Sequence, residues 1–300
     1  MTTSGDIEHQ LKMFKLSCRV DGLSPASIRD YSYKIGRCIE FLLGCGIKGA
    51  SEVNTNHIRM FLAHLQESNK PGSVIGYYKS VHRFFAWLVE EEVIEKNPVE
   101  KVRPPKVPQK VIQPFQPEHI QKLLSLCDNS IVGLRNKALI LLFTDTGIRL
   151  REMSDLKVDD IDFDREVVKV MGKGARERFV AISRLTQKAL LKYLLSRGSD
   201  SAWLWLTEEK KPLTLEGIAQ VFKKTLKARS GLKDVRVSPH TFRHTFATTA
   251  LRNGADIRDV QSLLGHSTLR MTMRYVATVN SEQAVQRHKK WSPVDALKLG

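Results

Sequence analysis

Apolar residues return every three or four positions through the first 97 residues, the repeat of amphipathic helices that cover a shared core. Ser24-Pro25 supplies a cap followed by proline at the first helical position, and Ile28, Tyr31, Ile35, Ile39 and Leu42 then mark one face as far as Gly44. Ile58, Phe61, Leu62 and Leu65 form a second stripe, and Val74, Tyr77, Val81, Phe84, Phe85 and Leu88 a third. With a first helix through Leu11, Phe14 and Leu16, the pattern predicts a four-helix domain over residues 1–97.

Six of the eleven prolines (Pro98, Pro104, Pro105, Pro108, Pro114 and Pro117) then fall within twenty residues. Proline lacks an amide donor and disfavours helix in the residue before it, so residues 98–116 are expected to be an extended, semi-rigid linker. Its Lys101, Arg103, Lys106 and Lys110 suit a path along a phosphate backbone and a solvated spacer equally well.

A second domain is expected over 117–300. It opens with helices around Pro117–Cys127 and through Leu139–Phe143. After Asp160 the period changes to two in IDF, VVKV and RFVAI, with turns at Asp164-Arg165 and Gly172-Lys173-Gly174, which predicts a short three-stranded antiparallel sheet. Helical patterning resumes beyond it. The fold class is therefore mainly α, with one small sheet inserted in the second domain.

The formal net charge is +16, and it is unevenly placed. Residues 1–105 carry 14 Lys+Arg against 12 Asp+Glu, and residues 106–300 carry 34 against 20. The excess in the second part attracts a polyanion, of which nucleic acid is the commonest, although ribosomal and membrane-surface proteins are as basic. Cys18, Cys38, Cys45 and Cys127 form no CxxC pair, which argues against a zinc site or redox motif. The N-terminal MTTSGDIEHQ has no basic region followed by an apolar stretch, and no run approaches 18 apolar residues. A soluble, cytoplasmic protein is expected.

The chemistry gathers in the second domain. Arg149 follows Thr146-Gly147 and stands three residues before Glu152, so its guanidinium fork is a candidate phosphate ligand steadied by that carboxylate. An isolated RxxE is more often an ordinary ion pair. Lys173 sits between two glycines at a hairpin tip, where it suits either proton donation to a leaving alkoxide or plain solvation. Ser238-Pro239 starts a helix that puts His240, Arg243 and His244 on adjacent turns of one face, with Phe242 and Phe246 on the stripe facing the core. HxxRH is not a zincin motif, because the HExxH glutamate is missing. His266 follows Gly265, and Tyr275 lies nine residues beyond it. A phenol in water is only about a thousandth ionised at neutral pH, so a tyrosine nucleophile needs neighbouring cations. Two arginines, a lysine, two histidines and a tyrosine are what transesterification at a DNA phosphodiester needs when no metal takes part.

The segments TGIRLRE, GKGARER, HTFRHTFAT, LLGH and RYVATV resemble, in order and spacing, the motifs of the tyrosine recombinase (phage integrase) family. Each is weak alone and the five in register are specific. Residues 115–280 carry the resemblance, and the helical head with its proline hinge looks like the family's core-binding, SAM-like domain. The likeness is greatest to the short Xer-like or transposon-encoded members.

The resemblance implies that Arg149 and Arg243 hold the scissile phosphate, Lys173 is the general acid, His240 and His266 assist with protons and phosphate, and Tyr275 is the nucleophile. It implies double-stranded DNA as partner, a homo-tetramer on synapsed sites, no cofactor or metal, and no small-molecule substrate. Phe242, where an aliphatic residue is frequent, and Arg274 before the tyrosine are the departures, and neither removes a required group. The tail 276–300 offers Val279, Ala284, Val285 and Trp291 either for packing across protomers or for folding onto its own domain. Two other classes compete: a non-enzymatic DNA-binding regulator, since Phe246 to Arg274 reads like a helix-turn-helix, and a type IB topoisomerase, which shares the catalytic groups. The regulator leaves Arg149, Lys173 and the position of Tyr275 unexplained.

Overall fold

The computed structural model describes residues 6–106, 112–172 and 177–276. Lys173 and the tail beyond Val276 therefore lie outside the described residues. The chain divides into two compact units, Met1–Lys110 and Val111–Gly300.

The first unit is built from α1 (Ile7–Val20), α2 (Pro25–Gly44), α3 (Thr55–Ser68) and α4 (Pro71–Glu90). Each starts where a capping signal stands. Asp6 accepts from the Glu8 amide, Ser24 from the Ser27 amide ahead of Pro25, and Asn54 from the Asn56 and His57 amides, while Pro71 opens α4. Phe14, Ile35, Leu42, Phe61, Phe84, Phe85 and Leu88 meet in its core. Burial of α1 runs through Ile7, Gln10, Phe14 and Cys18, whereas Leu16 is 50% exposed. A step of two residues from Phe14 crosses to the other side of a helix and a step of four stays on the same side, so Cys18 takes the place expected of Leu16.

The proline-rich stretch is not extended from its first residue. Val99 and Val102 are buried in the first core; the Asn97 side chain accepts from the Val99 amide, and the Tyr78 hydroxyl donates to the Val102 carbonyl. At the far end Phe115 joins the second core, its amide donating to Thr245 Oγ1 at 2.8 Å.

In the second unit, α5 (Pro117–Ser125) leads to α6 (Ile131–Thr146), which is buried on nearly every side and packs against α8 (Arg184–Ser196) and α11 (Pro239–Arg252). A helix apolar all round belongs at the centre of its domain, and α6 is the post on which the rest is hung. Between α6 and α8 lie the short α7 (Leu150–Ser154) and a sheet of β1 (Ile161–Asp162), β2 (Val167–Met171) and β3 (Glu177–Ala181) in the order β1-β2-β3, antiparallel throughout. Its register pairs Val168 with Val180 and Val170 with Arg178. Val168, Val170 and Val180 face the core, and so the side chain of Arg178 lies on the inner face as well.

A continuous helical stretch, α9 (Leu215–Gln220), a π-helical segment (Val221–Leu226) and α10 (Lys227–Ser230), precedes α11; α12 (Ile257–Leu264) and α13 (Leu269–Val276) complete the described chain. Among the described residues no helix is long and apolar enough to cross a membrane.

Candidate active site

Three helix ends converge on one spot. The first is the C-terminus of α6, where Gly147 adopts a left-handed conformation (φ 60°). An added Cβ there would stand 2.7 Å from the Phe246 ring and 3.0 Å from Leu264, so only glycine fits both the backbone and the space. The turn releases the chain directly into Arg149, which caps α7. The second is the start of α11, capped by Ser238 with Pro239 at its first turn. The third is the C-terminus of α12, closed by Gly265 at φ 62°.

Arg243 is 7% exposed and ties two of these ends together, donating to the carbonyls of Gly147 at 2.8 Å and Leu264 at 2.7 Å. Arg149 donates to the Gly265 carbonyl at 2.8 Å and to Glu152 Oε1 at 2.8 Å, while Glu152 Oε2 accepts from the Arg149 amide. A guanidinium has five N–H donors. The structural bonds of each arginine among the described residues use two, which leaves the outer edge of the fork for an anion.

Burial, followed by the charge of Arg149, brings the Arg243 pKa down to about 10; Tyr275 and Glu152 oppose the fall. Arg243 remains a cation at neutral pH, close to a second one. Such a pair is costly until an anion sits beside it.

His266 continues from the same turn and is buried, its Nδ1 2.8 Å from Thr272 Oγ1 on α13. Its ring stacks on that of Tyr275, centroids 6.0 Å apart and planes 13° from parallel. The His244 ring also lies 5.2 Å from that of Tyr275. His240 stands at the first turn of α11 and is exposed, yet desolvation by its neighbours, then the charges of Arg236 and Arg243, hold its pKa below the ordinary value. The structure thus brings Arg149, Arg243, His266 and Tyr275 together, with His240 at the rim beside Arg243. Lys173 lies outside the described residues.

Glu152, expected to steady Arg149, holds a second arginine that the motif reading passed over. Arg178 on β3 meets the buried carboxylate with both terminal nitrogens, at 2.9 and 2.8 Å, and its Nε donates to the Leu263 carbonyl at 2.8 Å. Burial alone raises a carboxylate pKa; at Glu152 the bonds from Arg178 and Arg149 outweigh it and keep the group below its ordinary value. A signal was present in the sequence. In RFVAI the alternation that turns Val180 and Ile182 inward turns Arg178 inward too, and an inward arginine needs a buried partner.

A family model described as the phage integrase family matches residues 113–282, which include all of these side chains. The chain belongs to the phage integrase family. A second model, the phage integrase N-terminal SAM-like domain, matches residues 11–95 of this integrase. Tyrosine recombinase XerC of Anoxybacillus flavithermus is 33% identical over 262 residues, covering 84% of this chain and 87% of its own. Tyrosine recombinase XerA of Thermococcus onnurineus is 34% identical over 277 residues, 90% of each chain. The Tn1549 transposon integrase, solved in complex with a circular intermediate DNA, shares the fold with a TM-score of 0.76 at 18% identity, over 96% of this chain and 100% of that one. This integrase-family chain is a tyrosine recombinase of the Xer-like type, an enzyme of site-specific DNA recombination, and neither the regulator nor the topoisomerase is favoured.

Proposed function

We propose that the protein cuts and rejoins duplex DNA through a 3′-phosphotyrosyl link made by Tyr275. The observation that carries this is the convergence of two guanidinium groups, Arg149 and Arg243, on the turn whose next residue, His266, stacks on that tyrosine. In this reading Arg149 and Arg243 grip the non-bridging oxygens of one phosphate and stabilise the extra charge of the pentacoordinate transition state, the largest catalytic contribution expected. His266 and His240 contact the phosphate and help to move protons. Lys173 gives a proton to the departing 5′ oxygen.

The phenolic oxygen attacks phosphorus, the bond to the 5′ oxygen breaks, and a 5′-hydroxyl is freed. Attack by the 5′-hydroxyl of another strand reverses the step. Because the phosphotyrosine conserves the energy of the diester, rejoining needs neither ATP nor a divalent metal.

Duplex DNA as the partner fits the basic second unit and the DNA complex of the transposon integrase. The domain division at 1–97, 98–116 and 117–300, work in the cytoplasm where the DNA is, and four protomers on two synapsed sites belong to the same reading. Deleting the chain after Tyr275 tests the tail: a tetramer that assembles on DNA unchanged removes it from the assembly.

The deciding experiment incubates wild type and Tyr275→Phe with nicked, labelled duplexes drawn from the DNA flanking the gene. A covalent adduct on a denaturing gel is expected from wild type alone. Tight binding by both proteins with no adduct from either would return the weight to a DNA-binding regulator.

A further inference from the structure

Among the described residues, three buried side-chain nitrogens have no hydrogen-bond partner: Trp87 Nε1, Arg252 Nε and His244 Nε2. The indole and the guanidinium nitrogens only donate. His244 Nε2 is the one that can accept.

Its tautomer follows from its surroundings. The Ile112 backbone beside the ring favours its charged form, as an acceptor facing Nδ1 does, and Nε2 is the buried ring nitrogen left without a partner. In the proposed scheme the neutral imidazole holds its proton on Nδ1, and Nε2 carries a lone pair. The ring is 6% exposed and lies 5.2 Å from the ring of Tyr275. Burial first, and the charge of Arg252 after it, keep His244 neutral against the opposing pull of Ile112. The groups around it are thus the Ile112 backbone, Arg252 on its own helix, and Tyr275 from α13, whose ring also stacks with that of His266.

We propose that His244, through Nε2, receives the phenolic proton of Tyr275 as the tyrosine attacks the phosphodiester. The inference rests on Tyr275 as nucleophile and assigns the partner that this reading leaves open. The O–H bond of Tyr275 breaks as an N–H bond forms on His244, and the oxygen's electron pair makes the new bond to phosphorus. The old bond to phosphorus breaks with its pair on the 5′ oxygen, which takes a proton from the donor on the leaving side. On rejoining, an incoming 5′-hydroxyl passes its proton to the group that served as donor on the leaving side while its oxygen bonds to phosphorus; the phosphotyrosyl bond breaks with its pair on the phenolic oxygen, which takes the proton back from the imidazolium. His240 and His266 contact the phosphate in this scheme, so the histidines divide the work by position.

The test is single-turnover adduct formation on a nicked duplex by full-length wild type, His244→Gln and His244→Ala, from about pH 5 to pH 8, the range over which an imidazole titrates. Glutamine keeps size and an acceptor oxygen but cannot take up a proton. DNA binding by gel shift and the thermal midpoint report on folding. Both variants are expected to bind DNA as wild type does and to form adduct on the order of a hundredfold more slowly, the usual worth of a general base. The acid-side fall of the wild-type profile should flatten in His244→Gln, and added imidazole should speed His244→Ala.

Wild-type rates in His244→Gln would show that shape alone suffices and would overturn the proposal. So would an unchanged acid limb in that variant. Where neither variant folds, the ring 15N shifts of His244 in wild type decide: Nε2 unprotonated at neutral pH is expected, and Nε2 protonated overturns it. An adduct from Tyr275→Phe overturns the nucleophile assignment and this inference with it, whereas full activity in His244→Gln beside a normal wild type overturns this inference alone.

Discussion

Both oxygens of Glu152 are gripped by both terminal nitrogens of Arg178, Nη1 to Oε1 at 2.9 Å and Nη2 to Oε2 at 2.8 Å, across 26 positions of sequence. The same carboxylate takes the Arg149 amide and side chain, so one buried anion positions two cations. Arg178→Ala removes the fork and the bond to the Leu263 carbonyl, and leaves Arg149 as the one remaining partner among the described residues of a carboxylate whose side chain is 3% exposed. Loss of one member of a buried pair costs about 3–5 kcal/mol, and that much destabilisation is expected in denaturant unfolding. Arg178→Lys keeps the charge without the fork and should recover only part of it.

The same carboxylate sets an acid limit. Its folded-state pKa lies below the ordinary 4.5, so its contribution to stability is complete above that value and is lost as pH falls through the folded one. Wild type should be more stable than Glu152→Gln near neutral pH, and the gap in thermal midpoint should close in acid. A gap that stays constant down to about pH 3 would mean that the charge of Glu152 contributes nothing.

What the sequence told was uneven, for a physical reason. Local features were legible: Ser24-Pro25 and Ser238-Pro239 start helices, Gly147 and Gly265 end them, and the three strands pair in the expected antiparallel sense. Arg149 with Glu152 was legible because their partnership is three residues long. The alternation in RFVAI turns Arg178 inward, but its pairing with Glu152 was not legible, since it joins β3 to α7 and to the end of α12, contacts that no local pattern encodes. His244 was visible as a polar residue on the α11 face, but its burial beside Tyr275 comes from α13 folding back. Leu16 failed on phase, and the linker's first residues failed because Val99 and Val102 found a core close at hand.

Gly147→Ala tests the turn that delivers Arg149. The alanine would be held at positive φ and forced against Phe246 and Leu264, with contacts of 2.7–3.0 Å that the neighbours must yield to relieve. Left-handed strain alone costs about 1–2 kcal/mol, and the clash adds to it. The carbonyl of this residue also holds Arg243, so adduct formation should fall further than the loss of folded protein explains. A variant with a lower thermal midpoint and normal single-turnover rates would separate the turn from the chemistry.

Thr272→Val keeps the shape of the side chain and removes the hydroxyl 2.8 Å from His266 Nδ1. The imidazole then loses one bond that holds its orientation against Tyr275. A neutral hydrogen bond is worth about 1 kcal/mol, which corresponds to about fivefold in rate. Adduct formation should slow by that factor with DNA affinity unchanged, and a loss confined to affinity would contradict an orienting role.

The depressed pKa of Arg243 predicts how the site answers an anion. Its cation is held at about 10 by burial and then by the charge of Arg149, and an anion between the two guanidiniums relieves the repulsion and restores the solvation that burial removed. Binding should therefore stabilise the fold: an anion at a hundred times its dissociation constant adds about 2.7 kcal/mol. Orthovanadate and sulfate, which resemble the transition state and the phosphate, are the ligands to use, with the thermal midpoint as readout. The stabilisation should be full at neutral pH, where both guanidiniums carry their charge. Arg149→Gln should remove most of it, since one guanidinium cannot enclose the anion. An equal rise in that variant would place the anion elsewhere and separate the two arginines as phosphate ligands.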